Sequence, residues 1–295
     1  MSRKLFIIGN GFDLHHGLHS AYNDYKKFLQ QTAPEMVEAF EELVSDKRPG
    51  DMDPWKNVEG AFNLDYDYIF DCILSYNNLA EPDRENPEDY EEQLKKAVSD
   101  TTSFVSSFVK RFFVDWVHCV SRESCLVQDD ITVDAEDLFV SFNYTRTLEN
   151  LYGVDEQKIL HIHGSVGGDL QFGTSQISLS TIQRQIEDER NRTRNYEEPM
   201  VNAVGNFMED IELCFKDIKR NYSILRDFIN GAEINEVEIM GASLGLDDMP
   251  YYTDILVPAF RDKRWIFRCH GDADNRAAID FVLQNDISNW CVRAW

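Results

Sequence analysis

The sequence has no long apolar run and little positive charge. Its N-terminal apolar stretch spans only Leu5 to Ile8, too short for a signal peptide or a membrane span. Lys and Arg together number 29 against 53 Asp and Glu, giving a formal net charge of -24. Binding a duplex through its phosphates needs clustered Lys and Arg, so the charge disfavours a nucleic-acid partner. We therefore expect a soluble cytoplasmic protein that neither spans a membrane nor binds nucleic acid.

Paired cysteines are also missing. The six cysteines form no C-x-x-C pair, and none lies beside histidines at zinc-finger spacing. We therefore expect reduced thiols and no bound metal. Hydrophobic residues nonetheless make up 43% of the 295-residue chain, which is enough apolar side chain for a sizeable core.

Strand-like and helical segments alternate along the chain. Short apolar strands are indicated within residues 4–17, 137–144, 158–164, 236–240 and 265–269. This alternation predicts an α/β fold with a Rossmann-like, mainly parallel sheet. We assign residues 1–34 and 131–295 to a nucleotide-binding core and residues 35–130 to a large helical insertion. Within the insertion, the aromatic residues at helical spacing in 102–120, and Trp55, are expected to be core.

Polar or glycine-rich residues follow four of the predicted strands. They are Asn10 and Asp13, then Asn143, then His163, and finally residues 243–247. Ligands of open parallel sheets bind beyond the carboxyl ends of the strands. The sequence therefore predicts a ligand site at this edge of the sheet.

Gly9 and Gly11 flank Asn10 directly after the first strand. Glycines here would let backbone N–H groups approach a phosphate closely. With Gly17, however, the spacing is G-x-G-x5-G, which departs from the dinucleotide fingerprint G-x-G-x-x-G. The alternative is an ordinary strand-to-helix turn in which Asp13 is the helix N-cap.

The two histidines of the third strand have different expected roles. His161 lies deeper in the strand and is the better candidate for a core or neighbour contact. His163 lies at the strand tip, where a histidine with a pKa near neutrality can act as a general base. Asn143 is either a turn amide or a ligand of a ribose hydroxyl or a water. Asp247 and Asp248 are either helix caps or contacts to ribose or adenine.

Five segments together resemble the AbiH family of bacteriophage abortive-infection proteins. They are IIGNGFDLHHGL, SFNYTRTLE, IHGS, MGASLGLDD and the WKNVE motif that contains Trp55 and Glu59. The same ordered set is similar, more distantly, to the sirtuin-like group, whose ligand is NAD and whose antiphage members often cleave it. The zinc-binding cysteines of sirtuin deacylases have no counterpart here, and a serine usually stands in that group at the position of Asp13.

The resemblance implies a catalytic pair and a dinucleotide site. Asn143 and His163 would be catalytic. The cofactor-binding residues would be Gly9, Asn10, Gly11, Asp13, Gly164, Ser165, Gly241, Ser243 and Asp247.

The favoured hypothesis is an antiphage effector that binds NAD and hydrolyses its nicotinamide–ribose bond. The alternative is a non-catalytic module that binds a nucleotide or a phage signal on the same fold. The sequence leaves open a phage trigger protein and self-association as partners, and the roles of Asp13 and Glu59.

Overall fold

The computed structural model describes residues 3–44, 53–61, 87–173, 184, 187–188, 191, 201–202, 205, 216–245 and 248–295. Within these residues the chain forms two compact units. The first comprises residues 1–21, 115–171 and 216–295, and the second comprises residues 22–114 and 172–215. The second unit thus also takes residues 22–34 and 172–215, which the sequence-based division assigned to the nucleotide-binding core.

The first unit is built on a six-stranded parallel sheet with the strand order β3-β2-β1-β4-β5-β6. The order reverses direction between β1 and β4, which is the position where open parallel sheets bind their ligands. This arrangement confirms the predicted Rossmann-like α/β fold. The strands are β1 Lys4–Ile8, β2 Leu138–Ser141, β3 Ile159–His161, β4 Glu236–Met240, β5 Arg264–Cys269 and β6 Trp290–Ala294.

The helices vary widely in length, and none that the structure describes has the length and apolar character needed to cross a membrane. They are α1 Asn10–His15, α2 Tyr22–Thr32, α3 Pro34–Leu43, α4 Val58–Ala61, α5 Pro87–Ser106, α6 Phe113–Val120, α7 Thr147–Tyr152, α8 Ile218–Ile229, α9 Met249–Tyr251, α10 Val257–Phe260 and α11 Asp272–Gln284. Short 3₁₀ turns occur at Pro54–Lys56 and Glu156–Lys158, and π-helical stretches at Ser107–Phe112 and Tyr252–Leu256.

The first strand owes its central position to an unbroken apolar run. Leu5, Phe6, Ile7 and Ile8 are each at most 1% exposed. Because side chains alternate along a strand, Leu5 and Ile7 join the core on one face of the sheet, while Phe6 and Ile8 join the core on the other. Burial on both faces is typical of a parallel strand covered by helices on each side.

The last strand, β6, is the one strand of this sheet that the sequence pattern did not predict. It pairs with β5 at the edge of the sheet, and its residues are half-buried or exposed. An edge strand covered on fewer sides needs fewer apolar residues, so its sequence gives a weak strand signal.

The second unit has an aromatic core. Tyr25, Phe40, Trp55 and Phe108 are each at most 1% exposed. The rings of Phe40 and Phe108 stack with centroids 4.9 Å apart, and Trp55 meets Phe40 edge-on at 4.7 Å. This confirms the core role predicted for Trp55 and for the aromatic segment. Glu59, whose role the sequence left open, is 8% exposed.

Candidate functional site

The carboxyl ends of four strands lie level at one edge of the sheet. Ile8 of β1 is in register with Ser141 of β2 and with Met240 of β4, and Ser141 is in register with His161 of β3. The loops that follow these strands therefore begin side by side. The sheet brings Gly9, Asn143, His163 and Gly241 to the same edge, as the sequence predicted.

The loops after β1 and β4 are in direct backbone contact. The Gly9 N–H donates to Met240 O at 3.0 Å, and the Gly11 N–H donates to Gly241 O at 2.9 Å. A Cβ atom on Gly9 would lie 2.4 Å from Ala242 Cα, and one on Gly11 would lie 2.7 Å from Gly241 Cα. The two glycines of the first loop are therefore required by this contact between loops.

Gly241 is required from the opposite side of the same contact. Its φ is +69°, a left-handed conformation that favours glycine, and a Cβ atom there would lie 2.1 Å from the Phe12 backbone nitrogen. The conformation and the lack of space both exclude a side chain. Gly9 and Gly11 of the first loop and Gly241 of the loop after β4 therefore form the two sides of one backbone contact.

Asn143 connects β2 to the first loop. Its side chain is 7% exposed, and Nδ2 donates to Gly9 O at 3.0 Å. A hydrogen bond from the same side chain also reaches the Asp13 carboxylate. Asn143 therefore joins the end of β2 to the Gly9 backbone and to the Asp13 carboxylate. It stabilises this edge of the sheet with or without a ligand.

Asp13 is buried and faces the loop after β2. It is 1% exposed and accepts hydrogen bonds from Thr145 Oγ1 at 2.5 Å and from Thr147 Oγ1 at 2.7 Å. Burial raises its pKa to about 6, although the hydrogen bonds from Thr145, Thr147 and Asn143 act in the opposite direction. The N-cap residue of α1 is Gly9, so the alternative that Asp13 caps this helix is wrong.

Thr145 and Thr147 are site residues that the sequence analysis missed. Two hydroxyls two positions apart are common in turns, and their acceptor lies more than 130 positions earlier in the chain. No local sequence pattern indicates that these hydroxyls bind Asp13. The signal that could have found them is the buried carboxylate itself, because such a group needs donors.

His161 contacts its neighbours, as expected. Its Nδ1 lies 3.2 Å from Asn143 O, and its Nε2 lies 3.1 Å from Glu149 Oε1. The Glu149 carboxylate also accepts from Arg146 Nε at 2.9 Å. Burial alone would raise the pKa of Glu149, but the bonds from His161 and Arg146 lower it overall. His161 thus holds the end of β2 against α7.

His163 has a different environment, which is aromatic and almost dry. It is 2% exposed, and its ring lies 5.5 Å from Phe142 and 5.7 Å from Tyr251 between centroids. Burial and the positive charge of Lys216 hold the pKa of His163 well below its usual range. The imidazole is therefore neutral at pH 7, which is the form that can accept a proton.

Asp248 lies close to both His163 and Lys216. Its Oδ1 is 3.5 Å from His163 Nε2 and 3.3 Å from Lys216 Nζ. The side chain of Lys216 is 1% exposed and that of Asp248 is 27% exposed. Among the described residues, His163 Nε2 has no hydrogen-bond partner. The carboxylate therefore lies between a buried cation and a buried neutral base.

The remaining predicted residues lie in the turns around this edge. Gly164 has φ +80°, and a Cβ atom there would lie 2.0 Å from a backbone oxygen of the following turn. Ser165 accepts a backbone hydrogen bond within that turn, and Ser243 Oγ accepts one within the loop after β4. Asn10 is exposed at the start of α1. Asp247 lies outside the described residues.

A buried polar group that binds the Tyr251 hydroxyl was not found from the sequence. Asn221 on α8 is fully buried, and its Nδ2 donates to Gln171 Oε1 at 2.9 Å and to the Tyr251 hydroxyl at 3.0 Å. These bonds fix the Tyr251 ring that contacts His163. A single Asn within a helical pattern gives no sign of such a partner.

The sequence around this site matches one known family. The model of the family described as Bacteriophage abortive infection AbiH matches residues 5–269. The chain belongs to the AbiH family. The match runs from β1 to the end of β5, so all of the site elements of this AbiH protein lie inside it. Its family role is bacteriophage abortive infection.

No curated protein and no solved structure matches this AbiH protein. The family match does not show membership of the sirtuin-like group.

The contact between loops can be tested with two glycine variants. Gly241 and Gly231 both have positive φ, at +69° and +72°, but a Cβ atom on Gly231 would meet nothing within 4 Å. Both Gly→Ala changes cost about 1 to 2 kcal/mol of backbone strain. We expect Gly241→Ala to lose about 1 to 3 kcal/mol more, because of overpacking. Urea denaturation measures both, and equal losses would contradict the role assigned to the contact.

The buried carboxylate of Asp13 gives a second test. Its pKa is about 6 in the folded protein against 3.8 as the reference value, so the folded state binds more protons between these values. The Asp13 contribution to the free energy of unfolding should therefore rise as the pH falls from 7 to 5, by about 1 kcal/mol. Asp13→Asn should lack this increment in urea titrations at the two pH values. If the free energy of unfolding of Asp13→Asn depends on pH as that of the wild type does, Asp13 does not make this contribution.

Proposed function

We propose that this AbiH protein is an antiphage effector that binds NAD at the carboxyl edge of the sheet and hydrolyses the nicotinamide–ribose bond. The observation that supports this most is His163. It is a buried, neutral imidazole at the carboxyl edge of a parallel sheet, with a carboxylate and a buried ammonium next to it. Perturbed titratable groups gathered at such an edge are typical of functional sites.

The described residues fit a dinucleotide in part. Lys216 supplies a cation for a pyrophosphate, and Asp248 supplies a carboxylate that can accept from ribose hydroxyls. The Gly9 and Gly11 N–H groups, by contrast, donate to β4 and its loop. A phosphate would therefore be held by Lys216 and not by these two amides. In this proposal Asn10, Ser165 and Ser243 are the further polar contacts to the ligand.

Cleavage of a glycosidic bond passes through an oxocarbenium-like transition state, which needs a base and a well-positioned sugar. His163 would take the proton of the attacking water or of a ribose hydroxyl. The Asn143 side-chain N–H groups bind Gly9 and Asp13. Any ribose contact by Asn143 would therefore come through Oδ1, which can accept from a hydroxyl.

The same geometry also supports the second candidate, a non-catalytic module that binds a nucleotide or a phage signal. The observation in its favour is that Asn143 and Asp13 satisfy each other and their neighbouring loops. Residues with this many internal partners are often structural. On this alternative, ligand binding would change the population of a signalling state without turnover.

Nicotinamide release from NAD by the purified full chain distinguishes the two candidates. We expect His163→Ala to lower the rate by about 100-fold or more, since general acid–base catalysis typically contributes that much. Asn143→Ala should also lower it, with some loss of stability. His19→Ala is the matched control, because the His19 side chain is exposed and binds Glu123, with no contact to His163 or Asn143 among the described interactions.

The assay should be run with and without extract from phage-infected cells, to allow for a trigger. Absence of nicotinamide release under both conditions, together with calorimetric binding of NAD, would favour the binding module. Absence of both release and binding would exclude NAD as the ligand. Equal rates for His163→Ala and His19→Ala would remove His163 from the mechanism.

A further inference from the structure

The position of the His163 Nε2 atom bears on which ring nitrogen carries the proton. Nε2 lies 3.5 Å from Asp248 Oδ1 and is buried, with no hydrogen-bond partner among the described residues. This separation is longer than an ordinary hydrogen bond. Hydrogen bonds of catalytic groups are often long before a ligand is bound, and they shorten in the complex.

A neutral imidazole carries one N–H donor and one lone-pair acceptor, and a carboxylate only accepts. A lone pair on Nε2 would face the negative Asp248 oxygen and be repelled, whereas an N–H there would be attracted. We propose that Asp248 positions His163 as its Nε2–H tautomer, so that Nδ1 is the nitrogen that accepts a proton. Asp248 is thus a positioning residue that acts through His163.

Burial and the nearby cation of Lys216 together set the charge state of His163. The Lys216 Nζ lies 3.3 Å from the same Asp248 oxygen, and the lysine side chain is 1% exposed. The ammonium pairs with the Asp248 carboxylate and adds to burial in opposing protonation of His163. Among the residues that the structure describes, the ring contacts of the imidazole are with Phe142, Tyr144 and Tyr251. Asp248 and His163 therefore rest as a carboxylate next to a neutral base.

The arrangement gives the proposed hydrolysis a defined proton path, and this step rests on the proposed function. The proton of the attacking water or ribose hydroxyl would move to Nδ1, and the ring would become an imidazolium with N–H groups on both nitrogens. Its positive charge would then lie next to the Asp248 carboxylate, which stabilises it. Resting neutrality and stabilisation of the charged form are both needed in a base that works near pH 7.

The tautomer can be measured without any substrate. Long-range ¹H–¹⁵N correlation spectra of the ¹⁵N-labelled full chain at pH 7 distinguish a protonated nitrogen from a lone-pair nitrogen. The His163→Gln variant identifies the signals. We expect the Nε2–H pattern in the wild type. The Nδ1–H tautomer, or a doubly protonated ring, would overturn the proposal without need of a variant at Asp248.

Variants at Asp248 show whether this residue selects the tautomer. Asp248→Ala should shift the His163 signals toward a mixture of tautomers, and Asp248→Glu should restore the Nε2–H pattern at least in part. Asp262→Asn is the matched control, because this carboxylate lies on the same unit but is exposed and binds Lys263. An unchanged pattern in Asp248→Ala would show that Asp248 has no positioning role.

Activity provides the second readout. If the wild type releases nicotinamide, Asp248→Ala should lower kcat by about 10-fold or more and change the pH profile, with partial rescue by Asp248→Glu. A folded Asp248→Ala protein with an unchanged kcat and pH profile would overturn the proposal. If the wild type releases no nicotinamide, the proposed function fails, and the spectra alone decide whether Asp248 positions His163.

Discussion

The backbone contact between the loops after β1 and β4 is the constraint on which the rest of the site depends. At Gly9, Gly11 and Gly241 the two loops approach so closely that no Cβ atom fits. The contact occurs where the strand order of the sheet reverses, at the place where related open sheets leave a crevice for a ligand. Here the two loops contact each other at these glycines, so a ligand at this edge would be held by the side chains around the contact.

Asp13 and Asn143 extend this contact to β2. The carboxylate accepts from two threonine hydroxyls, and the amide donates to the first loop and to the carboxylate. Burying a charge is costly, and its pKa of about 6 shows that the hydrogen bonds do not fully offset the desolvation. An exposed carboxylate would repel an anionic ligand, but the Asp13 carboxylate is buried and is stabilised by hydrogen bonds from the two threonine hydroxyls.

The sequence predicted those features that one segment determines alone. The apolar runs of β1 and β4 and the positions of Asn143 and His163 at strand ends needed no partner to be recognised. The purpose of the glycines could not be predicted, because a glycine required by a phosphate and one required by another backbone look alike. The threonine partners of Asp13, the burial of Asn221 and the half-exposed edge strand β6 all depend on contacts between distant segments, which a local pattern does not contain.

The acidity of the chain bears on how it would take an anionic ligand. A net charge of -24 repels a dinucleotide at long range, but at physiological salt this field is screened beyond about 8 Å. Under the proposed function, recognition of such a ligand would therefore depend on short-range groups at the site. Lys216 is such a group, and its burial keeps its charge from being screened by solvent. Together with burial, which is the larger cause, the same charge lowers the pKa of His163 and keeps it neutral. Since an anionic ligand would offset part of that charge, binding would raise the pKa of His163 toward neutrality, where a general base is most effective.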